Sequence, residues 1–169
     1  MEIRRHITSE DRAVLEGVLR STGFFNVEEL SVALELVDDR LAEGERSHYR
    51  FLIAEHDRSA VGYACWGVIP GTVASVDLYW IAVHPDWQGK GVGRALLSEA
   101  ERWIGEQGRQ RIYIETATRP QYAPTRAFYL ACGYDLIAEL ADYYAPGDGK
   151  AIFLKVLGVP GVHPVASGR

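Results

Sequence analysis

Gly89, Gly91 and Gly93 stand at alternate positions in the stretch VHPDWQGKGVGRALL, residues 83–97, immediately before residues that favour a helix. The first amides of a helix have no carbonyl partner within it and together carry roughly half a positive charge. Glycine removes the Cβ atoms that would hold a ligand away, so such a turn suits an anion that needs close access to main-chain N–H groups. Lys90 and Arg94 add positive charge at its rim. Two familiar phosphate motifs are excluded by spelling. A P-loop needs Gly-Lys followed by Ser or Thr, and Lys90 is followed by Gly91; the fingerprint G-x-G-x-x-G needs glycine at 94, where Arg94 stands. One or two glycines would fit a tight turn before a surface helix. Three in alternation, after a strand and beside Gln88, favour a diphosphate site.

The elements that must position this turn follow from the apolar periodicity. EIRRHI reads as a first strand, and SEDRAVLEGVLRSTG as a helix with a Thr8 or Ser9 cap and Val14, Leu15, Val18 and Leu19 on one side. NVEELSVALELVDDRLAEG reads as a second helix, with Asn26 as cap, Leu30, Leu34, Val37 and Leu41 as the stripe, and Gly44 as the stop. YRFLIAEH, VGYACWGVI and ASVDLYWIAVHP are rich in aromatic and β-branched residues and read as three strands, the last ended by Pro85. GRALLSEAERWIGEQG is a helix with Ala95, Leu96, Ala100, Trp103 and Ile104 on its apolar face. RIYIETA is a strand, APTRAFYLACG a short helix, and YDLIAELADYY with KAIFLKVL a closing strand pair across APGDGK. The order is that of an α+β protein, with helices covering a mixed sheet. Residues 1–158 read as a single domain and 159–169 as a peripheral tail.

Composition narrows the class. The 169 residues are 47% hydrophobic and 24% charged, ordinary values for a globular domain. A net charge of −5 argues against a broad nucleic-acid surface and suits a cationic substrate better. No apolar run approaches the roughly 18 residues that span a bilayer, and the N-terminus lacks a signal-like apolar region, so no membrane partner and a cytoplasmic location are expected. Cys65 and Cys132 form no C-x-x-C pair and are read as free thiols. His6, His48, His56, His84 and His163 are scattered without ligand spacing, so no metal is expected. Ser98 lacks a G-x-S-x-G elbow, which argues against a serine hydrolase.

The turn Gln88-Gly89-Lys90-Gly91-Val92-Gly93, the preceding WIAVHPDWQ and the later TRAFYLACGY resemble the GNAT superfamily of acyl-CoA-dependent N-acetyltransferases. The main motif of that family, Gln or Arg, two residues, Gly, one residue, Gly or Ala, is matched in full, and the resemblance spans most of residues 75–135. It departs from the family at Tyr122 and Thr125, where the second motif often has Asn and Ala. The resemblance implies a mixed, mostly antiparallel sheet of about seven strands flanked by about four helices. It also implies acetyl-CoA as cosubstrate, its pyrophosphate held by the amides of Gly89 to Arg94, namely Gly89, Lys90, Gly91, Val92, Gly93 and Arg94, and its pantetheine arm paired with the backbone of Ile81, Ala82 and Val83.

Acyl transfer from a thioester to an amine needs a base, because a lysine-like amine has a pKa of about 10.4, and gains from an acid at the departing sulfur. The resemblance places Tyr129 as that acid; without the glycine turn, a core aromatic beside Phe128 would be the favoured reading. Asp77, where some members of the family carry an acidic base, is the candidate base or else a solvated or capping carboxylate, on a strand where it would share a face with Tyr79, Ile81 and Val83 unless a bulge intervenes. Glu115 and a water chain are the alternatives. Glu28, Glu29, Glu35, Asp38, Asp39 and Glu43 on the second helix are either a solvated face or an attraction for an amine. Tyr143 and Tyr144 either line the cleft or pack the last hairpin. The expected function is direct transfer of an acetyl group to a primary amine, a small molecule rather than a protein N-terminus or lysine, with a homodimer across the last strands as one form of the enzyme. A non-catalytic acyl-CoA-binding module is the competing class.

Overall fold

The computed structural model describes residues 1–158, so the tail read at 159–169, with His163, lies outside the described residues. Seven strands form one sheet in the order β1-β2-β3-β4-β5-β7-β6. They are β1 (Glu2–Arg4), β2 (Tyr49–His56), β3 (Ser59–Val68), β4 (Ser75–Val83), β5 (Arg111–Ala117), β6 (Asp135–Ala145) and β7 (Asp148–Val156). The helices are α1 (Asp11–Thr22), α2 (Val27–Glu43), α3 (Val92–Glu106) and α4 (Ala123–Ala131). All neighbours pair antiparallel except β4 and β5, the mixed α+β arrangement expected.

Two apolar layers pack on the two faces of the sheet. On one face Leu96, Leu97, Ala100 and Ile104 of α3 and Tyr129 of α4 meet Leu52, Trp66, Val76, Leu78, Ile112, Ile114 and Phe153. On the other, Leu15, Leu19, Leu34 and Val37 of α1 and α2 meet Phe51, Ile53, Tyr63, Cys65 and Ala82. Each helix buries one stripe, as its spacing dictates.

The ends of the elements show which signals governed them. Asn26 caps α2 in a full capping box, its side chain accepting from the Glu29 N–H while the Glu29 carboxylate accepts from the Asn26 N–H. Gly44 ends α2 as read. The start of α1 differs from expectation: Glu10 stands at the cap position without a side-chain bond, and neither Thr8 nor Ser9 caps the helix. Asp11, in the first turn, instead accepts from the Thr8 N–H and is ion-paired with Arg4 of β1. The first strand also stops at Arg4 rather than Ile7, because the Arg4 guanidinium turns to Asp11 and to the His6 carbonyl. The closing hairpin is tighter than read, β6 and β7 joining through Pro146 and Gly147 with Gly147 at φ +79°, a pairing of residues that suits a type II turn.

Burial opposes the charge on Asp11, but the bonds from Arg4 and Thr8 more than offset it and hold its pKa below the ordinary carboxylate value. A carboxylate with a lowered folded pKa stabilises the fold above its unfolded pKa, and that contribution is lost as pH falls through the folded value. Asp11→Asn should therefore cost about 2 kcal/mol at neutral pH, and urea titrations of both proteins should show the difference shrinking as the medium is acidified below the unfolded carboxylate pKa.

Candidate active site

β4 and β5 are paired only at Ser75–Arg111, Val76–Ile112 and Asp77–Tyr113. Beyond Asp77 the two strands part, β4 continuing along β3 to Val83 and β5 along β7 to Ala117. The gap between them opens a cavity of about 1300 Å³ that reaches both faces of the sheet. Its lining includes Asp77, Ile81, Ala82, Val83, Gln88, Gly89, Gly91, Val92, Gly93, Arg94, Glu115 and Tyr129, thereby gathering nearly every residue singled out from sequence. Lys90 is the exception. Its exposed ammonium lies 5.0 Å from the centre of the Trp87 ring and does not line the cavity.

One end of the cavity is the glycine turn. After Pro85 has closed β4, a single 3-10 turn over Pro85–Trp87 leads to Gln88, whose Nε2 donates to the Val83 carbonyl at 3.0 Å. This bond fastens the turn to the strand end. The Gln88 N–H is itself used, donating to Pro85. Among the described residues, no protein acceptor is found for the N–H groups from Gly89 through Arg94, and α3 begins within that run at Val92. Gly89 and Gly91 hold φ of +71° and +82°, a left-handed backbone that side chains resist. Gly93 is different. Its φ is ordinary, and an added Cβ would meet Phe128 at 3.6 Å, a normal contact. Of the three glycines, two are demanded by conformation and the third only leaves surface bare.

Along β4, the His84 N–H bond to the Val61 carbonyl sets the phase of the antiparallel ladder. Alternation then turns the backbone groups of Ala82 and Trp80 toward β3, and those of Ile81 and Val83 toward the gap. The sequence reading had grouped Ile81, Ala82 and Val83 together; Ala82 spends its backbone groups on β3.

A bulge redirects the side chains. Cys65 faces Trp80 and Trp66 faces Leu78, so Tyr79 is an extra residue in β4. Val76 and Leu78 lie in the α3/α4 layer, and after the bulge Ile81 and Val83 do so too. Asp77 therefore shares a face with Tyr79 but not with Ile81 and Val83, in contrast to the unbroken-strand expectation. It projects to the α1/α2 side. Gly67 on β3 makes room there, since a Cβ at 67 would come within 3.0 Å of the Tyr79 ring.

Tyr129 reaches the cavity from the opposite layer. It is only 5% exposed, packed against Phe128, Tyr134 and Phe153, and no partner for its hydroxyl is found among the described residues. Within α4, Phe128 is half-buried beside Gly93 and Tyr129 is the buried ring. Burial raises the Tyr129 pKa far above that of an ordinary phenol, so it stays protonated at any physiological pH. Burial, joined by the nearby Glu115 charge, raises the pKa of Asp77 while Lys150 pulls it back. Tyr79, beside Asp77, is pushed up to about 12 by burial and then by that carboxylate.

The α1/α2 side is walled by residues that the spacing did not single out. Phe24 and Phe25 follow α1, Trp80 meets Phe25 edge-on at 5.2 Å, and Tyr122 lies 6.1 Å from Phe24 across the cavity. Tyr122, the departure from the family motif, thus faces the α1–α2 loop. Arg119 pairs with Asp148 at 2.9 Å and lies 3.8 Å from Glu29. Of the acidic residues on α2, Glu28 and Glu29 line the cavity, and Tyr144 does so from β6. Tyr143 instead packs on Lys150. No local periodicity announces Arg119 and Asp148, because 29 residues of chain and a hairpin separate them.

A free amide cradle, an unpaired strand edge and a cavity through the sheet define a site for an extended diphosphate-bearing acyl donor. Residues 19–134 match the acetyltransferase (GNAT) family model, and the chain belongs to that family, whose cosubstrate is acetyl-CoA. A crystal structure of a GNAT-family protein from Desulfovibrio desulfuricans is 41% identical, with a TM-score of 0.91 over 93% of this chain and 99% of that one. An aminoglycoside N(6')-acetyltransferase type 1 from Stenotrophomonas maltophilia is 31% identical over 70% of this chain and 78% of its own. A mycothiol acetyltransferase from Beutenbergia cavernae is 30% identical over 68% of this chain, and the match spans only 38% of that longer protein.

The two kinds of glycine can be told apart by binding. A side chain at Gly91 must enter the left-handed region at roughly 1–2 kcal/mol, so Gly91→Ala should weaken coenzyme A by about tenfold in calorimetry. Gly93→Ala should stay within about threefold of the parent. Equal losses in the two variants would contradict the assignment.

Proposed function

We propose that the protein transfers the acetyl group of acetyl-CoA to a small primary amine by direct attack, both substrates being bound together. The observation that carries this reading is the cavity through the sheet, with the buried Tyr129 on one side of the gap and Asp77 on the other. The N–H groups of Gly89 through Arg94 hold the pyrophosphate, and the backbone N–H and C=O of Ile81 with the N–H of Val83 hold the pantetheine arm as an added strand would, the Val83 carbonyl being taken by Gln88. The thioester is thereby laid across the opening between β4 and β5.

Asp77 takes a proton from the ammonium, directly or through water, and the freed lone pair attacks the thioester carbonyl carbon. The C–N bond forms and the C–S bond breaks. Tyr129 delivers its proton to the departing sulfur, the acylated nitrogen gives up its second proton to solvent, and solvent then takes the proton from Asp77 and returns one to Tyr129. The raised pKa makes Asp77 a stronger base than an exposed carboxylate; burial keeps Tyr129 protonated but makes it a weaker acid than an exposed phenol, so its proton moves only as charge builds on the sulfur. Cys65 is buried in the α1/α2 layer, so neither it nor Cys132, at the end of α4, is used as a nucleophile.

A small acceptor is favoured over a peptide because the α1/α2 side is bridged. Phe24 against Tyr122 and Glu29 near Arg119 tie the α1–α2 loop to the start of α4, where an open groove would be needed for a polypeptide. Glu28 and Asp77, cavity-lining carboxylates with no ion-pair partner among the described residues, favour a cationic amine, the class to which aminoglycosides, substrates of one relative, belong. The long edge strand β6, exposed along its length with Leu136, Ile137 and Leu140 outward, is the surface for a homodimer if one forms.

The test is thiol release from acetyl-CoA against a panel of amines, polyamines, amino acids and peptides. Tyr129→Phe should lower kcat by about a hundredfold while leaving KM for acetyl-CoA near the parent value. Asp77→Asn should remove the acidic limb of the pH–rate profile, which in the parent falls as Asp77 becomes protonated. Full turnover in Tyr129→Phe, or no turnover with any amine despite coenzyme A binding, would overturn the reading, the second result in favour of a non-catalytic module.

A further inference from the structure

On the reading of Asp77 as the base, we propose that Lys150 is a positioning residue: clamped to Glu115, it sets the protonation of Asp77 at the point where β4 and β5 part. The register brings the three together. Asp77 lies opposite Tyr113, Glu115 is two residues further along β5 on the same face, and Lys150 lies opposite Ala117 on β7, one diagonal step from Glu115. Lys150 Nζ is 2.6 Å from a Glu115 carboxylate oxygen, and its ammonium sits 3.9 Å from the centre of the Tyr143 ring.

The pair is asymmetric. Lys150 is 8% exposed, whereas the Glu115 side chain is 48% exposed. A buried ammonium without a partner is costly, so Lys150 holds the Glu115 side chain in place, and each then acts on Asp77 with opposite sign. Glu115 disfavours the charged form of Asp77, and Lys150 favours it. Other groups also face this corner. Tyr79 adjoins Asp77 on β4 with Tyr49 of β2 behind it, and Tyr113 stands opposite on β5. Across the cavity are Glu28 and Glu29 of α2, Tyr144 of β6, and Asp148 with its partner Arg119. Among them, Glu115 and Lys150 are joined in an ion pair on the same sheet face as Asp77, and they act on it with opposite sign.

The signs give a test that simple loss of structure cannot imitate. Lys150→Met leaves Glu115 uncompensated, so the ionisation midpoint of Asp77 rises. Glu115→Gln removes the repulsion and leaves the cation, so the midpoint falls. Lys150→Arg keeps the charge and should restore a midpoint close to the parent value. Carboxyl-carbon NMR titration of the intact, aspartate-labelled protein reads these shifts without any acceptor, with the Asp77 resonance assigned by Asp77→Asn. The acidic limb of thiol release, measured with acetyl-CoA and the best amine of the panel, should move in the same directions. Midpoints that stay put, or move alike in Lys150→Met and Glu115→Gln, would overturn the proposal. If Lys150→Met does not fold, Glu115→Gln, at a half-exposed position, still decides it by the sign of its shift. Should the NMR midpoints shift as expected while Asp77→Asn keeps the acidic limb, the base assignment fails and the electrostatic coupling stands.

Discussion

The site depends on a parallel strand pair that is not allowed to finish. β4 and β5 share only three residue pairs before each is held by its other neighbour, β3 on one side and β7 on the other. A strand edge left inside a protein is unfavourable, because each unpaired N–H or C=O forgoes a hydrogen bond. Here that edge carries Ile81 and Val83, whose backbone groups face the gap and, but for the Val83 carbonyl taken by Gln88, stand open. An extended ligand that supplied the missing partners would remove the penalty, as the proposed pairing with the pantetheine arm does. The free amides at the mouth of α3 offer donors of the same kind to the proposed pyrophosphate.

Polarity across the gap follows from the bulge at Tyr79. Without it, Asp77 would point to the same side as Ile81 and Val83; with it, Asp77 and Tyr79 lie toward α1 and α2, while the strand beyond returns its apolar side chains to α3. Gly67 is part of the same device, since only a residue without Cβ leaves room for the Tyr79 ring beside Asp77. One inserted residue thus separates the surface that meets the donor from the surface that carries the proposed base.

What the chain revealed beforehand was local. The glycine turn, the Asn26 cap, the stop at Gly44 and the strand end before Pro85 are each written within a few residues, and each signal works through backbone geometry that neighbours decide. The start of α1 was misread for an instructive reason: Thr8 and Ser9 are good caps in isolation, but the Arg4–Asp11 pair, made across β1, fixes the turn another way. The Tyr79 bulge left no local mark, because it is defined by the register of β3. Nor did the Lys150–Glu115 contact, because its partners belong to different strands whose pairing follows from the whole sheet. The equivalence of Ile81, Ala82 and Val83 failed for the same reason, alternation being invisible until the ladder has a phase.

The two layers have distinct origins of specificity. The family match covers residues 19–134, which include β4, the glycine turn, α3, β5 and α4, the parts that frame the gap and present Tyr129. β6 and β7 lie outside it, and they supply Tyr144, Asp148 and Lys150 to the α1/α2 side. A donor site built from backbone amides tolerates sequence change, because its ligands are main-chain groups fixed by conformation. An acceptor site built from side chains on a hairpin and a loop does not, since each substitution there alters charge or shape directly. On this argument the proposed chemistry is carried by main-chain groups and Tyr129 within residues 19–134, and the proposed choice of amine by the side chains of Phe24, Tyr122, Arg119 and the β6–β7 hairpin.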